Sequence, residues 1–232
     1  MNNPAVTSSP WFYLLIAASI MLSLGYMWGR RRNKQIFYSA FNGLLAVLKP
    51  KDQQFTNIGG LSGYHANIVP HRNKFIRRVD ATITLLARQS WLFLPISKAI
   101  RRFDRLFLIF HLSPKASGAL SEGHLLEERY SRFGSAKIAS EERLTKEAVE
   151  WGGRRFHLYY EEPWVKDQLE RCQRRLGNPQ GIRHIALVPG QDRIWVFMVP
   201  KRGTVEGLVA DLYPWMTDLL GKRIAGQEGT KD

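Results

Sequence analysis

The histidines and the single cysteine are the first candidates for metal ligation or for acid–base and nucleophilic chemistry: His65, His71, His111, His124, His157, His184 and Cys172. No two of them have the spacing of an HxH, HExxH or His/Cys ligand pair. The sequence also lacks a P-loop, a GxGxxG after a strand and a GxSxG. A single cysteine excludes an intrachain disulfide and a zinc site built on several thiolates. The sequence therefore predicts no metal, no cofactor, no small-molecule substrate and no enzymatic activity.

Two weaker patterns have simpler interpretations. The segment GGLSG at 59–63 is rich in glycine, but no lysine-bearing helix follows it, so it is more typical of turns than of a phosphate cradle. Asp80 and Asp104 lie in or beside apolar stretches and could form a pair of carboxylates. Arginines at 77, 78, 101 and 105 are close in sequence, so ion pairs are the preferred interpretation. His111, inside an apolar stretch, is interpreted as structural.

The basic charge is better organised than any catalytic motif. The chain has 34 Lys and Arg against 20 Asp and Glu, a formal net charge of +14, which indicates a polyanionic neighbour. Half of that excess lies between residues 72 and 105. The predicted polyanion-binding residues, for RNA phosphates or anionic lipid, are Arg72, Lys74, Arg77, Arg78, Lys98, Arg101, Arg102 and Arg105. The alternative is a solvated positive face that only sets membrane topology. Interleaved aromatic residues, such as Trp91 and Phe93, are expected in the core rather than stacked on bases.

The N-terminal region has the pattern of a membrane anchor. Residues 11–29, WFYLLIAASIMLSLGYMWG, carry no charge and would span about 28 Å as a helix, close to the thickness of a bilayer core. Four basic residues follow and are predicted to set the topology: Arg30, Arg31, Arg32 and Lys34. Residues 1–10 contain no Lys or Arg, so the positive-inside rule predicts a short extracytosolic tail and a cytosolic C-terminus. A cleaved signal peptide would carry its charge before the apolar run. Gly25 and Gly29 form a GxxxG, a weak signal for a partner helix.

The elements after the anchor predict the fold. Residues 30–52 are predicted to form a basic juxtamembrane helix that continues from the anchor. Residues 53–222 alternate short apolar strands with helices, which indicates an α+β domain with a mainly antiparallel sheet and helices on one face. The strongest strand, 103–112, is apolar throughout and is expected to be covered on both faces. Residues 113–155 are predicted to be a polar, partly mobile insertion with a charged helix at about 140–151, and residues 223–232 a disordered tail.

The chain resembles the calumin family (coiled-coil domain-containing protein 47). The resemblance rests on Arg88-Gln89 followed by a helix, Asp104 and an apolar strand, and on the strand 193–199 followed by Pro200 and a helix. It extends over most of residues 11–222. The family's acidic lumenal segment and basic coiled-coil tail have no counterpart in these 232 residues. The resemblance therefore does not imply calcium binding, and it implies ribosome binding less strongly, because the tail contributes to that contact in the family.

The resemblance implies a non-enzymatic, single-pass membrane protein that assists membrane-protein insertion at the translocon. Its implied partners are membrane lipids, the translocon or a small multi-spanning protein similar to Asterix, and the ribosome. The membrane would be the endoplasmic reticulum in a eukaryote and the cell membrane in a prokaryote. The alternative function is a membrane-anchored basic module that binds anionic lipid or nucleic acid. A membrane-tethered enzyme is the third possibility, which no motif supports.

Overall fold

The first element of the fold is one long helix. The computed structural model describes residues 9–71, 73–131, 138 and 141–228. Helix α1, Pro10–Leu48, runs for 39 residues. It ends at Lys49, which has a left-handed backbone (φ 43°), because Pro50 follows and cannot continue a helix. The predicted continuation of the apolar segment into the following basic helix is confirmed, but that helix ends at Leu48 rather than at residue 52. Among the described residues, α1 is the one helix that is long and apolar enough to cross a membrane.

A mixed α+β fold follows, as predicted. Its sheet, within the described residues, has nine strands, all paired antiparallel in the order β1-β2-β3-β4-β9-β8-β5-β7-β6. The strands are β1 (Pro50–Asn57), β2 (Gly63–Pro70), β3 (Ile76–Thr84), β4 (Arg105–Leu112), β5 (Gly123–Glu127), β6 (Thr145–Trp151), β7 (Arg154–Tyr160), β8 (Ile182–Val188) and β9 (Arg193–Met198). The predicted hairpin between the last two strands is confirmed, and it turns through residues 189–191.

The long helices share one face of this sheet. The helices after α1 are α2 (Leu94–Arg101), α3 (Pro114–Ser117), α4 (Glu128–Ser131), α5 (Pro163–Leu176) and α6 (Val205–Glu228). Proline in the first turn of α5 and Gly177 after its end are typical helix boundaries. Leu44 of α1, Leu169 of α5 and Leu212 of α6 belong to the same core cluster as the sheet residue Leu108. The prediction that helices pack on one face is therefore confirmed.

The two faces of the central strand β4 differ. Leu106, Leu108 and Phe110 are fully buried beneath the helices. Phe107 and Ile109, which point to the opposite face, are only partly buried. Alternate side chains point to opposite faces of a strand, so the even-numbered residues of this apolar run face the helices and the odd-numbered residues face away. The prediction of a strand is confirmed, but its second face is only partly covered, by a smaller cluster that includes Tyr130 and Phe197.

The segment 113–155 is part of the sheet rather than an insertion, where it is described. The predicted charged helix at 140–151 is wrong, because residues 145–151 form β6. Gly152 and Gly153, with φ of 58° and 72°, join β6 to β7 in a two-residue turn. Only glycine adopts that conformation easily, so the turn closes a hairpin in spite of the helix-forming residues before it. The predicted disordered tail is also wrong for residues 223–228, which continue α6.

Candidate membrane-proximal site

One stripe of α1 contacts the α+β domain along most of the helix. Its buried residues recur every three or four positions, which is the spacing of one helical face: Gly25, Gly29, Asn33, Ile36, Ala40, Leu44 and Leu48. Leu44 and Leu48 lie in the main core. The stripe then passes Arg30 and continues into the apolar segment. The domain therefore packs against residues of α1 that belong to the candidate membrane span.

The space beside the two glycines of the GxxxG is occupied by other residues of the same chain. A Cβ atom at Gly25 would lie 2.8 Å from the indole ring of Trp91. At Gly29 a Cβ would lie 2.6 Å from the backbone nitrogen of Gln89 and closer still to the carbonyl of Arg88. Small residues allow such a close approach of two backbones. In this fold the motif seats the loop after β3 rather than a partner helix.

A buried polar cluster ties that loop to α1. Asn33 is 1% exposed and donates from Nδ2 to the carbonyl oxygen of Leu86 at 2.9 Å. Arg88 donates to Oδ1 of Asn33 at 3.0 Å and to both oxygens of Asp104 at 2.8 and 2.7 Å. Asp104 also accepts from the backbone amide of Leu86. Bidentate, charge-assisted contacts of this kind fix geometry strongly, so the cluster holds β3, β4 and α1 in one arrangement.

The predicted ion pairs of the two aspartates are found, one with an unexpected partner. Asp80 pairs with Arg78 at 2.9 Å and with His111 at 2.7 Å, so His111 has a structural contact, as interpreted. Asp104 pairs with Arg88, which was not among the four arginines expected. Arg88 is sixteen positions before Asp104, and only the return of the chain through α2 brings the two together. Asp80 lies in the middle of β3 opposite Ile109, whereas Asp104 lies just before β4, five residues from Ile109, so the two do not form a carboxylate pair.

The residues around α2 expose a concentrated apolar surface. Ser97 faces inward, 4% exposed, and its Oγ accepts from the backbone amide of Ala87. The outward side chains are large and apolar: Trp91 45%, Leu92 80%, Phe93 48%, Ile96 50% and Ile100 70% exposed. The expectation that Trp91 and Phe93 belong to the core is wrong, because Ser97 and the polar cluster turn the opposite side of this segment inward. Contiguous exposed apolar surface marks a contact with another molecule or a membrane.

The structure divides the predicted polyanion-binding residues into two groups. The near group, at the α2 end of the sheet, comprises Lys98, Arg101, Arg102 and Arg105. The far group, at the start of β3, comprises Lys74, Arg77 and Arg78. Arg72 lies outside the described residues. Thr84 pairs with Arg105 and Ile76 with Leu112, so the length of β3 separates the groups. At about 3.3 Å per residue that length is roughly 26 Å.

Members of both groups make contacts within the fold. Arg77 donates from Nε to the carbonyl oxygen of Leu112 at 2.9 Å, and Arg78 is held by Asp80. The guanidinium of Arg105 lies over the ring of Phe103 at 5.6 Å. Lys74 and Lys98 have exposed side chains. Some of these residues therefore stabilise the fold. Their proximity in sequence suggested one basic surface, whereas the structure has two separate groups.

The predicted topology-setting residues border an open groove beside α1 of about 870 Å³. Arg30, Arg31 and Lys34 line it, and Arg32 does not. Its remaining lining is apolar at one end and polar at the other: Leu24, Met27, Trp28, Gln35, Tyr38, Ser39 and Arg202. A groove with this gradient suits an amphipathic molecule that has an acyl chain and an anionic head.

A histidine pair lies on the open face of the sheet. Nδ1 of His124 lies 3.2 Å from Nε2 of His184, and Nε2 of His124 lies 3.1 Å from a carboxylate oxygen of Glu122. Burial lowers the pKa of His184 well below its usual value, and the neighbouring His124 lowers it further. Burial also lowers the pKa of His124, although Glu122 opposes that shift. Both shifts favour the neutral form of the two rings. Among the described residues, no group of three or more His, Cys, Asp or Glu is placed to hold a metal ion.

Sequence reasoning missed the residues that join α1 to the domain. Asn33 was not singled out, and Arg88 was named in the family resemblance but not as the ion-pair partner of Asp104. The repeat of small or apolar residues at 25, 29, 33, 36, 40 and 44 was a usable signal, because it marks a single face that crosses the basic cluster.

The class of protein is set by these features: an α+β domain joined rigidly to one candidate membrane-spanning helix near the N-terminus. No protein-family model matches the sequence, and no curated protein matches it. The resemblance to the calumin family stays a prediction.

Proposed function

We propose that the chain is a single-pass, non-enzymatic membrane protein that holds its α+β domain at the cytosolic surface and there assists membrane-protein insertion at the translocon. The observation that carries the proposal is the unbroken path of α1 from the apolar segment into the domain core. A flexible linker would let the domain diffuse away from the membrane. A continuous helix, held to the domain by the contact between Asn33 and Arg88, would keep one surface of the domain at a fixed distance from the membrane, beside the proteins embedded there.

The proposed topology places the N-terminus outside and the domain in the cytosol. Four basic residues follow the apolar segment and none precedes it, which supports this orientation. A cysteine introduced at position 3 should react with a membrane-impermeant reagent added from outside. A cysteine at position 230 should react only after the membrane is permeabilised. The opposite pattern would reverse the proposed topology and with it every proposed partner.

The two basic groups suit different polyanions. The near group lies at the end of the sheet where the loop after β3 packs on Gly25 and Gly29 of α1, and anionic lipid headgroups at that level would attract each Lys or Arg with about 1 kcal/mol. The far group lies roughly 26 Å further along β3. The Debye length is about 8 Å at physiological salt, so the far group is screened from the headgroups. Its polyanion would have to be a macromolecule above the membrane, and ribosomal RNA at the translocon fits that position.

Ribosome binding can be tested with matched substitutions in the two groups. Lys74→Gln with Arg77→Gln should weaken co-sedimentation of the nanodisc-embedded protein with ribosomes, and each lost phosphate contact should lower the salt slope by roughly one. Lys98→Gln with Arg102→Gln removes the same charge from the near group and serves as the control. Equal losses from both pairs, or no loss from either, would contradict the separate role of the far group.

The translocon role itself requires identification of neighbours. Crosslinking in native membranes, followed by mass spectrometry, should recover translocon subunits or a small multi-spanning protein. The alternative function, a basic module for anionic lipid or nucleic acid, is favoured by the groove lined by Arg30 and Lys34. Binding of anionic vesicles together with crosslinks to lipid but to no insertion component would support that alternative and refute the translocon role.

A further inference from the structure

We propose that residues 90–101, named here the interfacial wedge, insert into the lipid leaflet on the domain's side of the membrane. The wedge comprises the turn at Ser90, the exposed residues 91–93 and helix α2. The exposed apolar side chains of the wedge would contact the acyl chains just below the headgroups. The inference rests on α1 crossing a membrane, as proposed above, but not on a translocon role.

The position of the wedge along α1 gives its depth. Trp91 packs on Gly25, five residues before Arg30. At 1.5 Å per residue, the indole ring lies about 7 Å toward the apolar side of Arg30. Amphipathic segments that lie in a membrane interface bury their apolar face by about 5–10 Å. The contact with α1 thus places the wedge at the depth that interfacial helices adopt.

The exposed residues of α1 near Gly25 indicate what surrounds the wedge. Next to Gly25 on the same helix, Met21, Leu22 and Leu24 are 55%, 46% and 61% exposed. These side chains need hydrocarbon around them if α1 spans a membrane. The exposed part of Trp91 and the neighbouring Leu92, which is 80% exposed, face the same surroundings. Lipid therefore covers them without any further partner.

The arrangement of polar and apolar residues in the wedge agrees with that depth. Ile96 and Ile100 are four residues apart and lie on one face of α2, beside the exposed Leu92 and Phe93. Ser97 is on the buried side. Lys98 is two residues from each isoleucine and therefore projects from the opposite side of α2, as the basic residues of an interfacial helix do when they face the headgroups. A nucleic-acid surface would place bases against the aromatic residues, which leaves Leu92, Ile96 and Ile100 unexplained.

The polar cluster keeps the wedge in its inserted geometry. Ser97 is bonded to the amide of Ala87, and Arg88 is bonded to Asn33 and Asp104. These contacts lie at both ends of the turn and on the buried side of α2. The apolar side chains therefore project before any lipid is bound, and insertion does not require the segment to fold.

The test uses environment-sensitive labels on the full chain in nanodiscs. Cys172 is fully buried, so a new exposed cysteine can be labelled selectively. Leu92→Cys reports the wedge. Ile16→Cys reports the anchor. Gln191→Cys is the aqueous control, because its turn lies beside Leu112 at the far end of β4, roughly 25 Å from Asp104. Quenching is measured with aqueous iodide and with lipids that carry a nitroxide at a shallow or a deep acyl position.

The expected result is a graded pattern. The label at position 92 should be several-fold less sensitive to iodide than the label at 191, and the shallow nitroxide should quench it more than the deep one. The label at position 16 should respond most to the deep nitroxide. Ile100→Cys should behave like Leu92→Cys, which guards against one variant that fails to fold.

Three results would overturn the wedge. If iodide quenches the labels at 92 and 191 equally while position 16 stays in lipid, the wedge lies in water although the anchor is real. If the label at 92 is shielded from both iodide and lipid nitroxides, another protein surface covers the segment. If position 16 itself is quenched by iodide, the membrane-spanning assignment of α1 fails and the wedge fails with it.

Discussion

Replacement of Gly29 by alanine tests the close approach of α1 to the loop after β3. A Cβ at this position would lie 2.6 Å from the nitrogen of Gln89, and ordinary contact begins near 3.4 Å, so the two backbones must separate by at least 0.8 Å (3.4 less 2.6). Overpacking of this kind costs about 1–3 kcal/mol. The shift also stretches the bond from Arg88 to Asn33, a loss of about 1 kcal/mol. Alanine returns about 1 kcal/mol through helix propensity. The net expectation is a loss of about 2 kcal/mol.

The side chain of Cys172 provides the assay. It is fully buried, and burial raises the pKa of its thiol, so the thiol should resist alkylation until α5 opens. Labelling of the nanodisc-embedded protein is followed against urea concentration. With a slope of about 2 kcal/mol per molar urea, Gly29→Ala should lower the midpoint by about 1 M.

Gly207 of α6 supplies a matched control for this substitution. A Cβ there would meet no atom within 4 Å, so Gly207→Ala makes the same chemical change in a helix without the steric conflict. It should leave the urea midpoint unchanged or raise it. If Gly29→Ala raises the midpoint as much as Gly207→Ala does, the backbone of residues 88–89 does not pack against α1, and the contact between Arg88 and Asn33 is refuted.

Two further predictions use the same assay. Arg88→Ala leaves the carboxylate of Asp104 buried without its ion pair and should lower the free energy of unfolding by about 3–5 kcal/mol. Arg78→Ala removes a half-exposed pair and should lower it by at most about 1 kcal/mol. Similar losses in the two variants would show that Arg88 is not buried. The folded domain keeps His184 neutral, while the unfolded chain protonates it below pH 6.5, so stability is fully present above that pH and falls as the pH drops toward the lower folded value. The urea midpoint should fall between pH 7.5 and 5.5, and it should fall less in His184→Leu; an equal fall in both would assign the pH dependence to other groups.

The sequence was a good guide wherever one local signal acted alone. The apolar run of α1, the apolar run of β4 and the Pro163 start of α5 were each sufficient to predict an element. The prediction failed at β6, where Glu, Lys and Ala favour a helix but the Gly152-Gly153 turn and pairing with β7 impose a strand.

The candidate site was harder to predict because it depends on contacts between distant parts of the chain. Asn33 and Arg88 are 55 positions apart, and Arg88 and Asp104 are joined only after α2 folds back. The wedge looked like core because its residues are apolar. Exposure depends on which side the polar cluster turns inward, and composition contains no information about that choice.

If α1 spans a membrane, as proposed, its unbroken path would couple the orientation of the domain to the thickness of the bilayer. Spanning helices tilt by about 20° on average, and a long apolar stretch in a thin bilayer tilts more. Because α1 runs unbroken into the core, the sheet would lean with it by a similar angle. A lean of 20° would carry a point 25 Å above the bilayer sideways by about 9 Å. The far end of the sheet would therefore sweep across the membrane surface as the bilayer thins or thickens, and its reach toward a neighbour would be set by the lipids below it.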